Sequence, residues 1–279
     1  MITAILQFPN ISPEIVGFSL LGMNFQIRWY GLFYVISFIL GYILYKRNLR
    51  LRDVHLEREQ YESAIFTVML GVILGGRIGY VIFYNLLYYL QYPLAIFAVW
   101  EGGMSFHGGA LGVIIGGLIF ARRNKLDFHK LADAAVPIVA IGLGLGRLGN
   151  FINGELWGRP SNLPWAMIFP DGGQVARHPS QVYELILEGI VLAIVSFILL
   201  RKVKTPGIVF WSFIGLYGIF RFMIEFVRVP DTLDFYDKFG FILGFMSIGQ
   251  FLSLLMIIAG GLAIYLIYKK KGALPDARI

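Results

Sequence analysis

The stretch GIVFWSFIGLYGIFRFMIEFVRVPD, residues 207–231, decides the fold. It carries no charge before Arg221, and its apolar residues run in a block rather than in alternation. A block of about 20 such residues is the length that crosses a bilayer core. Similar blocks recur along the chain and give seven expected spans, near 26–45, 63–84, 103–121, 131–151, 183–200, 207–227 and 248–268. The fold expected is an all-α integral membrane protein of about seven transmembrane helices. It forms one transmembrane domain over residues 1–279.

Composition agrees. Of 279 residues, 57% are hydrophobic and 15% charged, with a mean hydropathy of +0.71. A soluble chain carries about 25% charged residues. The 33 glycines allow close helix approach in lipid, and the abundant aromatics suit the interface. There is no cysteine, which excludes disulfides, thiolate metal sites and a cysteine nucleophile. The four histidines are scattered, so no metal centre and no cofactor are expected. The N-terminal residues MITAILQFPNISPEIVGF lack a basic n-region and carry prolines and Glu14, unlike a cleavable signal peptide. They are expected to form an amphipathic segment, near 1–25, lying on the membrane before the first span.

The net charge of +7 needs no nucleic acid to explain it. Lys46, Arg47, Arg50, Arg52 and Arg58 follow the first expected span; Arg122, Arg123, Lys125 and Lys130 follow the third. Arg201, Lys202 and Lys204 follow the fifth, and Lys269, Lys270, Lys271 and Arg278 close the chain. With seven spans, these sixteen of the twenty-four basic residues share one side. The positive-inside rule makes that side the cytoplasm, with the N-terminus outside (periplasmic) and the C-terminus cytoplasmic. Arg77, Arg147 and Arg221 instead fall inside spans, where an arginine costs about 2.5–3.5 kcal/mol on insertion scales. Three of them suggest a shared polar cavity. Gly71, Gly75 and Gly79 are spaced by four, as are Gly108, Gly112 and Gly116, a pattern that favours backbone-to-backbone helix packing.

The densest constellation is GLGLGRLGNFINGELWGRP, residues 142–160. Arg147 and Asn150 stand at i and i+3 on one helix face, with Asn153 three further on. Gly144, Gly146 and Gly149 leave room for a ligand. The run leaves the helix through Glu155, Trp157, Gly158 and Arg159 into an outer loop near 153–181. A polar helix end with an interfacial Trp157 explains that exit, but not an arginine one turn inside. In EGGMSFHGGALG, residues 101–112, His107 stands near the outer end of the third span. Imidazole suits proton transfer near neutrality. Ser105 lies on another face and has no nucleophile-elbow turn around it. In residues 221–231, Arg221, Glu225 and Arg228 form one stripe on the sixth span. Glu225 either neutralises Arg221 or serves the site, and guanidinium forks bind phosphate bidentately. Tyr30 belongs either to an interfacial belt or to the cavity. Arg77 is a candidate partner of a buried carboxylate or carbonyl. Together these residues imply an anionic, lipid-borne substrate with phosphate as its charge.

GRLGNFINGELWGR at 146–159, GGMSFHGG at 102–109, RHPSQVYE at 177–184 and the spaced arginines before Pro230 and Asp231 resemble the prolipoprotein diacylglyceryl transferase family, in order and spacing, across essentially the whole chain. The resemblance implies a single transmembrane enzyme domain in the bacterial plasma (inner) membrane, with its active site toward the outer leaflet. It also implies transfer of a diacylglyceryl group from phosphatidylglycerol to the lipobox cysteine of prolipoproteins, forming a thioether and releasing glycerol 1-phosphate. Carried to matching positions, His107 is the general base or a positioning group, and Arg147 and Arg228 bind the lipid phosphate. Asn150, Glu155, Gly158 and Tyr30 shape the headgroup pocket, with Arg77, Arg221 and Glu225 in support. The thiol comes from the substrate, so a cysteine-free enzyme fits. Three other classes compete: an anion transporter, for which no inverted repeat is evident; an intramembrane protease, which lacks its catalytic motifs; and a passive lipid-binding scaffold, which has no need of His107.

Overall fold

The computed structural model describes residues 6–20, 23–99, 102–229, 241–242 and 244–273. Glu101, Pro230, Asp231 and Arg278 lie outside the described residues. The chain divides into two compact units, one made of Met1–Tyr45 with Asp133–Ile279 and the other of Lys46–Ala132.

Every expected span falls on a helix. These are α1 (Trp29–Arg50), α2 (Arg58–Tyr84), α4 (Phe106–Arg123), α5 (Phe128–Ile152), α6 (Ser180–Lys202), α7 (Ile208–Ile224) and α8 (Ile248–Ala273), with a short α3 (Leu86–Gln91) after α2. Five of them, α1, α2, α5, α6 and α8, are long and apolar enough to cross a membrane, which makes this a multi-pass membrane protein. Their outward surface is apolar. Ile39 and Ile43 on α1, Leu74 and Phe83 on α2, Ile190 and Ile194 on α6, and Ile258 and Leu262 on α8 are all exposed. Exposed apolar side chains on helices of this length face lipid in a chain of this composition.

The chain is mostly helical, as expected of an all-α membrane protein, and its start adds short strands. The amphipathic segment anticipated near 1–25 is strand for much of its described length. Strands β2 (Glu14–Leu20) and β3 (Met23–Arg28) form an antiparallel hairpin in which Glu14 pairs with Arg28. Strand β1 (Leu6–Gln7) runs parallel to β4 (Met167–Ile168). Ile15, Val16, Phe25 and Ile27 are β-branched or aromatic, types that favour extended backbone over helix.

In the Lys46–Ala132 unit the glycine stripes do what their spacing predicts. A Cβ on Gly71 would lie 2.8 Å from the Gly112 carbonyl oxygen, and one on Gly79 would lie 2.7 Å from the Gly108 Cα. Helices α2 and α4 therefore touch backbone to backbone. Gly116 meets the side chain and carbonyl of Thr67 instead. Gly75→Val is expected to force the pair apart. Overpacking of this kind costs about 1–3 kcal/mol or more, and the loss of monodisperse protein in size-exclusion chromatography checks it.

The other unit packs by the same rule. Gly260 on α8 meets Trp211 and Gly215 on α7, and Gly144 on α5 meets Gly189 on α6. The N-terminus of α7 is capped from within the unit, where Asp133 accepts from the Gly207 and Phe210 amides at 3.0 and 2.8 Å. A carboxylate at a helix N-terminus complements both the orphan N–H groups and the helix dipole.

Candidate active site

In the larger unit, three arginines converge on one carboxylate. Glu184, on the first turn of α6, is fully buried. Its Oε2 lies 2.8 Å from Arg147 Nε, and its Oε1 lies 2.8 Å from Arg221 Nη1 and 3.3 Å from Arg228 Nε. Arg221 also pairs with Glu225 at 3.3 Å. Glu188, one turn beyond Glu184 and also fully buried, comes no nearer than 4.0 Å to Arg147 Nε. The α6 backbone is π-wound over Leu185–Val191, a distortion often found at functional sites. The cluster thus sets Arg147, Arg221 and Arg228 against Glu184, Glu188 and Glu225. Opposite charges held together make such burial tolerable, whereas isolated ions would not be.

The loop geometry explains how Arg228 arrives. The sequence places it on the sixth span in register with Arg221 and Glu225. Helix α7 instead ends at Ile224, and residues 225–227 turn. Pro230 follows two residues after Arg228 in the sequence, and a proline discourages helix in the residues before it. Arg228 therefore reaches Glu184 from a backbone bridge to Gly158. Gly158 lies between two chain segments: its amide donates to the His178 carbonyl at 2.8 Å, and the Arg159 amide donates to the Val227 carbonyl at 2.8 Å. A Cβ on Gly158 would stand 2.5 Å from the Val227 carbonyl oxygen and 2.7 Å from the His178 Cβ. Only glycine admits this crossing.

Arg147 and its neighbours follow the helical spacing. Arg147 Nη1 donates to Asn150 Oδ1 at 3.5 Å, a long bond. Asn150 and Asn153 donate to Glu155 Oε1 at 2.8 and 3.1 Å. Gln181 anchors the Glu155 carbonyl, and Ser180 anchors the Leu156 carbonyl at 2.9 Å. The Tyr30 ring packs against Gly149, where a Cβ would meet it at 2.6 Å, and its hydroxyl lies 3.4 Å from that of Tyr34. The expectation that Gly144 and Gly149 leave room for a ligand is corrected: protein fills both, and only Gly146 faces open space. Glu225 rests on the start of α8, where Ser247 donates to it at 2.9 Å.

The loop after α5 folds onto itself. Met167 and Arg177 exchange backbone bonds of 2.9 and 2.8 Å, and the Arg177 guanidinium stacks 4.0 Å over the Trp157 ring. Trp165 Nε1 donates to the Tyr183 hydroxyl at 2.7 Å, which lies 3.2 Å from His178 Nδ1. Partial burial lowers the His178 pKa below the ordinary histidine value, which favours the neutral ring there.

In the other unit, His107 is exposed in the first turn of α4. Ser105 is the cap of that helix, accepting from the Gly108 amide at 3.2 Å, which agrees with its dismissal as a nucleophile. Arg77 is 4% exposed and donates to five carbonyls: Ile96 from Nε, Gly102 and Gly103 from Nη1, and Ala95 and Ala98 from Nη2. A guanidinium has five N–H donors, so Arg77 is a complete tie for the segment that leads to Ser105 and His107. Of its two anticipated partners, carbonyl is the observed one.

Glu184 and Glu188 were not singled out as site residues from the sequence. Both fall inside the expected span 183–200, and the reasoning that flagged arginines at membrane depth applies to them equally.

The model of the prolipoprotein diacylglyceryl transferase family matches residues 16–266. The phosphatidylglycerol–prolipoprotein diacylglyceryl transferase of Geobacter sulfurreducens is 49% identical over 266 residues, 95% of this chain and 99% of that protein. The enzyme of the same name from Vibrio atlanticus is 45% identical over 274 residues, 97% of each chain. Another, from Pseudomonas syringae pv. tomato, is 46% identical over 277 residues, 98% of this chain and all of that protein. Sequence identity of this extent, over chains of matching length, means that this transferase belongs to the prolipoprotein diacylglyceryl transferase family.

Proposed function

We propose that the chain moves the diacylglyceryl group of phosphatidylglycerol onto the thiol of the lipobox cysteine of prolipoproteins, the first step of bacterial lipoprotein maturation. The substrate sulfur attacks the glyceryl carbon that bears the phosphate. A C–S bond forms, the C–O bond breaks, and the electron pair leaves with glycerol 1-phosphate. The phosphate passes from a monoanionic diester to a species with one more negative charge. Fixed cations aimed at that charge lower the barrier. The observation that carries the proposal is the convergence of Arg147 and Arg228 on Glu184 at 2.8 and 3.3 Å, with Arg221 beside them. It supplies held guanidiniums, and Arg147 Nη2 has no hydrogen-bond partner among the described residues. Asn150, Glu155, Gly158 and Tyr30 line this same neighbourhood and shape the headgroup pocket.

A free thiol has a pKa of about 8.5 and is only a few per cent ionised at neutral pH. His107, at its family position, takes the thiol proton. The chain works as one transmembrane enzyme domain of about seven spans in the bacterial inner membrane. Its N-terminus is outside, its C-terminus is cytoplasmic, and its active site faces the outer leaflet. The grouping of sixteen basic residues supports that orientation.

Purified protein incubated with phosphatidylglycerol and a lipobox peptide should yield a peptide carrying the diacylglyceryl mass on its cysteine. An unmodified peptide overturns the proposal. In the same assay His107→Gln should lose about 10²–10⁴-fold in rate, the usual contribution of a general base. Full turnover at neutral pH in that variant removes His107 from proton transfer.

A further inference from the structure

Glu184 meets its three arginines by different edges. Arg221 presents its terminal edge, Nη1 to Glu184 and Nη2 to Glu225. Arg147 instead comes nearest to Glu184 at Nε, 2.8 Å from Oε2, as an ion pair rather than an aligned hydrogen bond, since Oε2 has no hydrogen-bond partner among the described residues. Its Nη1 makes only the long bond to Asn150, and its side chain is the most exposed of the three, at 19% against 15% for Arg221 and 4% for Arg228. A guanidinium paired beside its Nε keeps two donors on Nη1 and two on Nη2, the set that forks around a phosphate. Glu184 is itself fixed. It is fully buried, lies immediately before the π-wound stretch of α6, and is braced by Arg221, which Glu225 braces in turn.

We infer that Glu184 is a positioning residue for lipid binding: its carboxylate holds Arg147 in an ion pair beside Nε and leaves the Nη edge of that arginine to the lipid phosphate. The inference rests on the reading of Arg147 as a phosphate ligand. It gives the Arg221–Glu225 pair the task of holding Glu184 still rather than of touching substrate. Two buried glutamates one turn apart then differ in duty, because Glu184 pairs with Arg147 Nε at 2.8 Å while Glu188 stands 4.0 Å from it.

The test uses full-length Glu184→Gln and Glu184→Asp in mixed micelles of phosphatidylglycerol with a lipobox peptide. Glutamine keeps the volume but removes the charge and replaces one acceptor with a donor group. It should raise KM for phosphatidylglycerol by about tenfold or more, while KM for the peptide moves by less than about twofold. Aspartate, which keeps the charge, should fall between Glu184→Gln and wild type. Adding Glu184→Gln to Arg147→Ala should cost little further activity, since residues acting as one unit are not additive. Equal shifts in both KM values, wild-type kinetics or full additivity overturn the inference. A wild-type enzyme with no transfer would instead sink the functional reading. The pairing is then read from Tm values of the Arg147→Ala, Glu184→Gln and double variants, where strictly additive losses overturn it.

Discussion

Arg147→Ala is expected to lower kcat/KM for phosphatidylglycerol by about 10²–10³, the effect of removing one preorganised donor from a developing anion. Three features make this the largest functional effect in the cluster. Arg147 is the most exposed of the three arginines, and its Nη2 has no protein partner among the described residues. Its helix also continues directly into Asn150, Asn153 and Glu155, the amides and carboxylate beside the proposed headgroup pocket. The protein should remain folded, because Glu184 keeps Arg221 and Arg228 as partners. Arg147→Lys should recover only part of the loss, since an ammonium keeps the charge but cannot reproduce the fork. Initial rates at varied phosphatidylglycerol and fixed peptide, set beside thermal unfolding of the same preparations, check both statements. Wild-type rates in Arg147→Ala would remove it from phosphate binding.

Arg77→Leu is expected to fail in the opposite way, through folding. Five carbonyls lose a donor at once, and of these Ala95 keeps the Ala98 amide. A buried polar group left unsatisfied costs about 1–3 kcal/mol. Partial relaxation will recover some of the total, but several kcal/mol is a large share of the stability of any domain. Lysine offers three donors on a point charge and should restore only part. The affected segment, residues 95–103, runs into the Ser105 cap and the first turn of α4, so any variant that survives should also misplace His107. A fall in Tm and in solubilised yield, measured on Arg77→Leu and Arg77→Lys, tests this; an unchanged Tm in Arg77→Leu would show that the carbonyls find other donors. The two arginines raise the same alarm in the sequence, each being a cation inside an apolar span. The structure separates them by what they touch: backbone carbonyls for Arg77, carboxylates for Arg147.

That contrast marks what was legible in the chain. Apolar blocks of near-constant length located all the long helices because the hydrocarbon thickness sets their length. Glycines spaced by four announced close backbone packing, though not their partner helix, because helix periodicity puts them on one line. The Arg147–Asn150 pair was readable for the same reason. Pairings between helices were not. Glu184 meets Arg221 across 37 residues of sequence, and no local periodicity reports such a contact. The turn that ends α7 was hidden behind an apparent i, i+4, i+7 stripe, although Pro230 was a visible reason for the helix to stop before Arg228. At the start of the chain, residues 14–28 carry β-branched and aromatic residues and fold largely as the β2–β3 hairpin.

The central claim is that the guanidiniums gathered at Glu184 hold the phosphate of the lipid donor. An experimental structure of the protein with bound phosphatidylglycerol tests it most directly. The account predicts phosphate oxygens at charge-assisted hydrogen-bond distance, about 2.7–2.9 Å, from the Nη atoms of Arg147, with Arg228 on the same group. A headgroup seated elsewhere, with Arg147 and Arg228 touching only Glu184 and their other protein partners, would contradict it.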